Sequence, residues 1–285
     1  MGRRADPTLL VAAAVATLLP LLALEAARAG ELTFHAASGG QFALADLVPR
    51  LRSARFVLIG EEHGSYRHHD VQIRVMSALR DAGVPVAAGL EAFPPAATPA
   101  LRRWTAGQLE SDALYRLFDA SWSLKNWPAY RDLLFFLREG GVPCAGIDAD
   151  DALIRRVVLA GRSSLTPEEQ RSLPPGGCAA DERYRAVLRL LLDGEKHESS
   201  FVNFCEAQSL RDAVLARELG ALAAAHPGHV VAGLIGLYHA WKPAVPARLG
   251  ELGLGPVVVI LPEELLPRTA ADLAPEADYL WRWRD

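Results

Sequence analysis

The chain has 285 residues, 51% of them hydrophobic and 22% charged, which is enough apolar material for one large domain or two closely joined ones. Its formal charge of −4, with no basic stripe carrying interleaved aromatics, excludes a general affinity for nucleic acid, whose phosphates demand a basic face.

The first segment reads as an export signal. Arg3 and Arg4 form a positive start, 9–24 is almost wholly apolar, and Ala27-Arg28-Ala29 places small residues where a signal peptidase reads. Pro20 and the shortness of the run argue against a retained membrane anchor. Residues 1–29 are therefore expected to be a signal peptide and 30–285 a single domain. No cysteine follows the apolar run to carry a lipid, so the expected location is periplasmic or secreted.

Strand-like and helix-like runs then alternate. Residues 56–59 are a short apolar run rich in β-formers that Gly60 breaks, and 55–60 read as a strand. Ser65 can cap a helix over 67–82, with Val71, Val75 and Leu79 on its core face and Gly83 and Pro85 as stops. A strand at 86–91 is followed by a helical stretch at 98–138, expected to break near Trp127-Pro128, and by a strand at 142–148. Asp150 or Asp151 can cap the next helix, and Thr166-Pro-Glu-Glu169 is a capping box with proline at the first helical position. Residues 173–177 read as a loop, 181–193 and 198–225 as helices, 230–235 and 257–261 as strands with a short helix at 246–252 between them, and the end as a tail carrying Trp281 and Trp283. Short apolar strands separated by helices imply an α/β fold with a mainly parallel central sheet, helices on both faces, and a helical cap built from about 98–127 and 165–225.

An oxidising compartment gives Cys144, Cys178 and Cys205 a meaning. Three is odd, so at most one intramolecular disulfide forms. Cys144 lies in a strand-like run and is expected to be buried and inert. Cys178 with Cys205 is the preferred pair because both lie outside the strands; three free thiols is the alternative.

The chemistry collects at the strand ends. Glu61, Glu62 and His63 follow the first strand, Glu91 the second, Asp148 and Asp150 the third, and Tyr238 and His239 the fourth, all at carboxyl ends, where ligands bind in open α/β sheets. Gly-x-x-His occurs twice, ending at His63 and at His239. Two imidazoles and a carboxylate are a common zinc or iron ligand set, so His63, Glu91 and His239 are the candidate metal ligands, with Glu61 or Glu62 as general base. The bland alternative is that these groups bond backbone and cap helices. His68 and His69, on a first helical turn, are expected to face solvent, and His197, His226 and His229 are read as surface. No Gly-x-Ser-x-Gly elbow, Cys-x-x-Cys, phosphate loop or His-Glu-x-x-His competes.

Taken in order, Leu58-Ile-Gly-Glu-Glu-His63 with His68-His69-x-x-Gln72, Gly89-Leu-Glu-Ala-Phe93, Phe204-x-x-Ala-Gln208 with Arg211-Asp212, and Gly233-x-x-Gly-x-x-His239 resemble the ChaN-like haem-binding family. The wider superfamily includes Tiki-type metalloproteases and erythromycin-esterase-like hydrolases. The resemblance implies a periplasmic or surface-linked α/β protein that binds haem and takes part in iron or haem uptake, with outer-membrane or periplasmic uptake components as partners. It places Gly60, Glu61, His63, Glu91, Gln208, Asp212 and His239 on characteristic positions. The lipid-bearing cysteine of many members is missing, and Leu215 stands where a methionine is usual.

Haem accepts a tyrosinate or imidazole ligand, for which Tyr66, Tyr130, Tyr238 and His69 are candidates. Its two faces also allow two protomers to share it as a homodimer. A haem carrier is thus the leading expectation, and a hydrolase using a divalent metal on His63, Glu91 and His239 is the alternative.

Overall fold

A computed structural model describes residues 31–178, 181–192, 198–265 and 277–284. The expected signal peptide and His197 lie outside them.

The strands are β1 (Glu31–Ala36), β2 (Gln41–Phe42), β3 (Phe56–Glu61), β4 (Val86–Leu90), β5 (Cys144–Gly146), β6 (Val230–Gly236), β7 (Val257–Pro262) and β8 (Tyr279–Arg284). They form one sheet in the order β2-β1-β8-β7-β3-β6-β4-β5. From β8 to β5 all neighbours are parallel, and β1 joins β8 antiparallel with β2 paired outside it. The helices are α1 (Leu44–Leu51), α2 (Tyr66–Asp81), α3 (Thr98–Thr105), α4 (Ser111–Ser121), α5 (Trp127–Glu139), α6 (Asp151–Ala160), α7 (Pro167–Ser172), α8 (Glu182–Leu191), α9 (Glu198–Ala225), α10 (Leu237–Ala240) and α11 (Val245–Glu251).

Successive strand residues point to opposite faces, and the two apolar cores follow that alternation. Val57, Ile59, Ala88 and Leu234 meet α2, α3, α4 and α5 on one face. Phe56, Leu58, Ala87 and Ile235 meet α8, α9 and α11 on the other. Every residue of β3 is buried, as a central parallel strand covered on both sides requires.

The stretch 98–138 breaks just ahead of Trp127-Pro128, as expected, and once more at 106–110, so it is three helices; Pro128 sits in the first turn of α5, where a missing N–H breaks no helical bond. One expectation is corrected. The tail is not a loose end, because 279–284 form β8, inserted between β1 and β7 with Trp281 fully buried.

Candidate functional site

The apolar run of β3 delivers Glu61 to the carboxyl edge, where it is 2% exposed. Four side chains converge on its two oxygens. Tyr130, from α5, donates its hydroxyl to Oε1, and His63 Nδ1 lies 2.9 Å from the same atom. Gln72 donates to Oε2 at 2.6 Å, with His69 Nδ1 at 3.2 Å from it. Gln72 Nε2 also donates to the Ile59 carbonyl at 3.3 Å, which turns its Oε1 toward His69 Nδ1 at 3.0 Å. The other nitrogen of His69 donates to the His63 carbonyl at 3.2 Å.

The local fold explains why these residues meet. Only 62–65 separate β3 from α2, and the Ser65 hydroxyl accepts from the His68 N–H at 3.4 Å, so the first turns of α2 lean back over the end of β3. His68 and His69 are therefore buried, which overturns the expectation that they face solvent. His68 accepts from the Glu62 N–H at 2.8 Å and meets Glu264 at 3.2 Å.

A second network stands on the ends of β4, β5 and β6. Glu91 is 1% exposed and takes the Gly236 N–H on Oε2, while its Oε1 lies 3.3 Å from Arg211 Nη2 and 3.7 Å from His239 Nε2. Arg211 grips Asp148 with two nitrogens. His239 Nδ1 is 2.6 Å from Asp212 Oδ1, and Asp212 Oδ2 accepts the Tyr184 hydroxyl at 2.5 Å. The two networks abut at Gly236: a Cβ there would lie 3.1 Å from the His63 ring and 3.5 Å from Glu91 Oε2, so the approach is close.

The charges reinforce one another. Burial works against the ionised Glu61, but the charge of His69 and the bonds from His63 and Tyr130 bring its pKa down to about 2. Burial likewise opposes the His63 cation, yet the Glu61 hydrogen bond and the charges of Glu91 and Glu61 lift it to about 9. Despite burial, His239, His63 and Arg211 hold Glu91 below the ordinary carboxylate value. Burial, aided by Glu91, holds Asp148 above its own. Burial works against the charge on His239, but Glu91 and Asp212 raise its pKa.

The structure thus gathers Glu61, His63, His69, Glu91, Asp212 and His239 into one polar region. Glu62 is exposed and contributes its backbone N–H, Tyr238 is half-buried with its ring 6.4 Å from Trp241, Gln208 is half-buried one turn ahead of Asp212, and Tyr66 is 61% exposed. His63, Glu91 and His239 do not form the expected metal ligand set. Glu91 is held by Arg211 and the Gly236 N–H, and His239 by Asp212, and among the described residues no group of three or more His, Cys, Asp or Glu is arranged to hold a metal. Tyr184 and Trp122, which packs edge-on to His63 at 4.9 Å, escaped the sequence reading because neither lies in a spaced motif. A groove of about 920 Å³ between 172–178, α9 and α11 contains none of the expected site residues.

A mainly parallel sheet whose strand exits carry two abutting carboxylate–imidazole networks defines an α/β protein with its polar site at the carboxyl edge. The model of one family, described as haem-binding uptake, Tiki superfamily, ChaN, matches residues 47–249. The chain belongs to that family. Among solved structures, that of cofacial haem binding to ChaN of Campylobacter jejuni aligns with a TM-score of 0.69 at 16% identity, covering 90% of this chain and 98% of that one. A mutant erythromycin esterase, EreC, in its open conformation aligns with a TM-score of 0.48 at 14% identity over 84% of this chain and 78% of the other. A type III effector does so with a TM-score of 0.46 at 17% identity over 83% and 91%. No curated protein sequence matches the chain.

Proposed function

We propose that this chain binds haem through the Tyr66 phenol and serves iron or haem uptake outside the cytoplasm. An axial ligand must have its lone pair free to meet iron. Tyr130 gives its hydroxyl to Glu61, and both nitrogens of His69 face oxygens of neighbouring groups, so neither fits. Tyr238 is half-buried beside Trp241. Tyr66, 61% exposed at the first residue of α2, is the observation that carries the reading. Asp212 is committed to His239 and Tyr184, which leaves it a supporting role behind the site.

A haem on an exposed tyrosine keeps its second face open, and a second copy of the chain would cover it. The Campylobacter jejuni structure is of cofacial haem binding; the same arrangement here stacks two haems between two copies, each held by its own Tyr66. The Cys178–Cys205 disulfide supports a periplasmic or secreted location, since cytosolic thiols stay reduced.

Haemin titration of the protein from residue 30 onward, followed by visible absorption, tests the ligand. A saturable shift of the Soret band is expected for the wild type, Tyr238→Phe and His239→Ala, and its loss for Tyr66→Phe. A full shift in Tyr66→Phe sinks the assignment, and sedimentation of the loaded protein as a monomer sinks the shared arrangement.

A further inference from the structure

We infer that the groove of about 920 Å³ between 172–178, α9 and α11 is a second binding site, for a chain-like amphiphile carrying one carboxylate, of the fatty-acid class. Its size is at the upper end for small-molecule sites, and one wall is the run Leu173-Pro-Pro-Gly-Gly-Cys178.

That wall is tied down at both ends and in the middle. Arg217 of α9 donates to the Ser172 carbonyl at 3.0 Å, Arg162 donates to the Pro174 carbonyl at 2.5 Å, and Cys178 is bonded to Cys205 of α9. Pro174 and Pro175 stiffen the run between these ties. The groove is therefore pre-formed, and a ligand entering it has little of the chain left to order.

Two kinds of surface line it. Leu173, Pro175, Leu210, Ala213 and Leu252 present carbon, and Leu252, just after α11, stays 55% exposed, apolar area that the chain of a ligand covers. The charged groups cancel in pairs, with one exception. Asp181 caps α8 and meets Arg183 at 3.3 Å, Glu251 meets Arg248 with both oxygens at 2.7 and 2.8 Å, and Arg217 meets Glu218 at 2.7 Å. Arg162 is the exception. Glu206 accepts its backbone N–H at 2.8 Å, but among the described residues no carboxylate pairs with its guanidinium, which gives one of its five N–H groups to Pro174. One guanidinium without a carboxylate, beside apolar walls, selects one carboxylate on an apolar chain. A cation is repelled by Arg162, and a short anion leaves the walls wet. Haem finds no ligand for its iron, because among the described residues the wall carries no histidine, tyrosine or methionine and its cysteine is bridged.

Calorimetric titration of the protein from residue 30 onward with decanoate, against butyrate and decyltrimethylammonium as controls for chain and charge, tests the site. Saturable heat is expected with decanoate, and binding at least about tenfold weaker with either control. Arg162→Gln should weaken decanoate binding about tenfold or more, the scale of a lost charge-assisted bond, and Ala213→Trp, which fills the groove from α9, should abolish it. Arg162 stands outside the apolar cores, so Arg162→Gln decides the matter even where Ala213→Trp fails to fold. Tyr66→Phe should bind decanoate as the wild type does, and decanoate should leave the haemin titration unchanged. The site is overturned by no saturable heat with decanoate, by either control binding as tightly, by unaltered binding in folded Arg162→Gln or Ala213→Trp, by lost binding in Tyr66→Phe, or by displacement of haem.

Discussion

Glu61 and His63 make the site a pH-dependent part of the fold. Between pH 6.5 and about 9 the folded chain keeps a proton on His63 that the unfolded chain has lost, so stability falls as pH rises through that window. Between pH 4.5 and about 2 the unfolded chain protonates Glu61 while the folded chain does not, so stability falls as pH drops. The contribution of the pair is therefore complete from about pH 4.5 to 6.5. Urea unfolding across pH should show both limbs in the wild type and flattened limbs in Glu61→Gln, with a loss of about 3 kcal/mol on the plateau for breaking a buried charged network. Unchanged limbs in that variant would remove Glu61 from the account. At this scale the sequence revealed the participants better than the partnerships. Glu61, His63, Glu91 and His239 were legible because they follow apolar runs, but Asp148 and Arg211 are 63 residues apart and Tyr184 and Asp212 are 28 apart, so no local spacing joins them. The burial of His69 depends on the angle at which α2 leaves β3, which no periodicity encodes.

The elements hold these residues in place through close packing at glycines, and two of those contacts differ in kind. A Cβ on Gly146 of β5 would fall 2.2 Å from the Pro94 carbonyl oxygen and 2.7 Å from that of Phe93, both backbone atoms of the loop that follows Glu91. On Gly89 of β4 it would meet Leu219 Cδ2 at 2.7 Å, the far end of a flexible side chain of α9. Backbone cannot step aside without moving Asp148 and Glu91 apart, whereas a leucine can change rotamer. Gly146→Ala should therefore lose about 3 kcal/mol and Gly89→Ala about 1 kcal/mol in chemical denaturation. Equal losses, or the reverse order, would contradict this account. Element identity was mostly legible: α9 spans 198–225 as expected, and Thr166 caps α7 with Glu169 answering. The failures have a common cause. β1 and β8 are made by pairing between segments some 250 residues apart, as in Thr33 with Arg282, β2 only adds to β1, and a short run such as 279–284 becomes a strand only where a partner edge awaits it.

For the whole molecule, the sheet joins the first and last described segments at one edge, and a covalent tie secures the helical layer behind it. Cys178, in the loop before α8, is bonded to buried Cys205 on α9 across 27 residues of chain. This is the pair preferred from the sequence, where the argument was only that both cysteines lie outside strands. Closing a loop of that length removes freedom from the unfolded chain worth about 3.5 kcal/mol in the chain-entropy account. Replacing both cysteines by serine should lower stability by that order, with the sheet preserved, because the strands pack against other parts of α9 as well. Cys144 behaves differently: burial pushes its thiol up to about 12, so at neutral pH it offers no thiolate. Thiol labelling should find nothing in the folded oxidised protein, one thiol after unfolding, and three after unfolding with reductant, in line with the three cysteines of the chain. Three thiols on unfolding alone would mean that no bridge ties α9 to the preceding loop. The support that the bridge lends to an extracytoplasmic location would then be lost too, while the haemin titration, which turns on Tyr66, would stand unaffected.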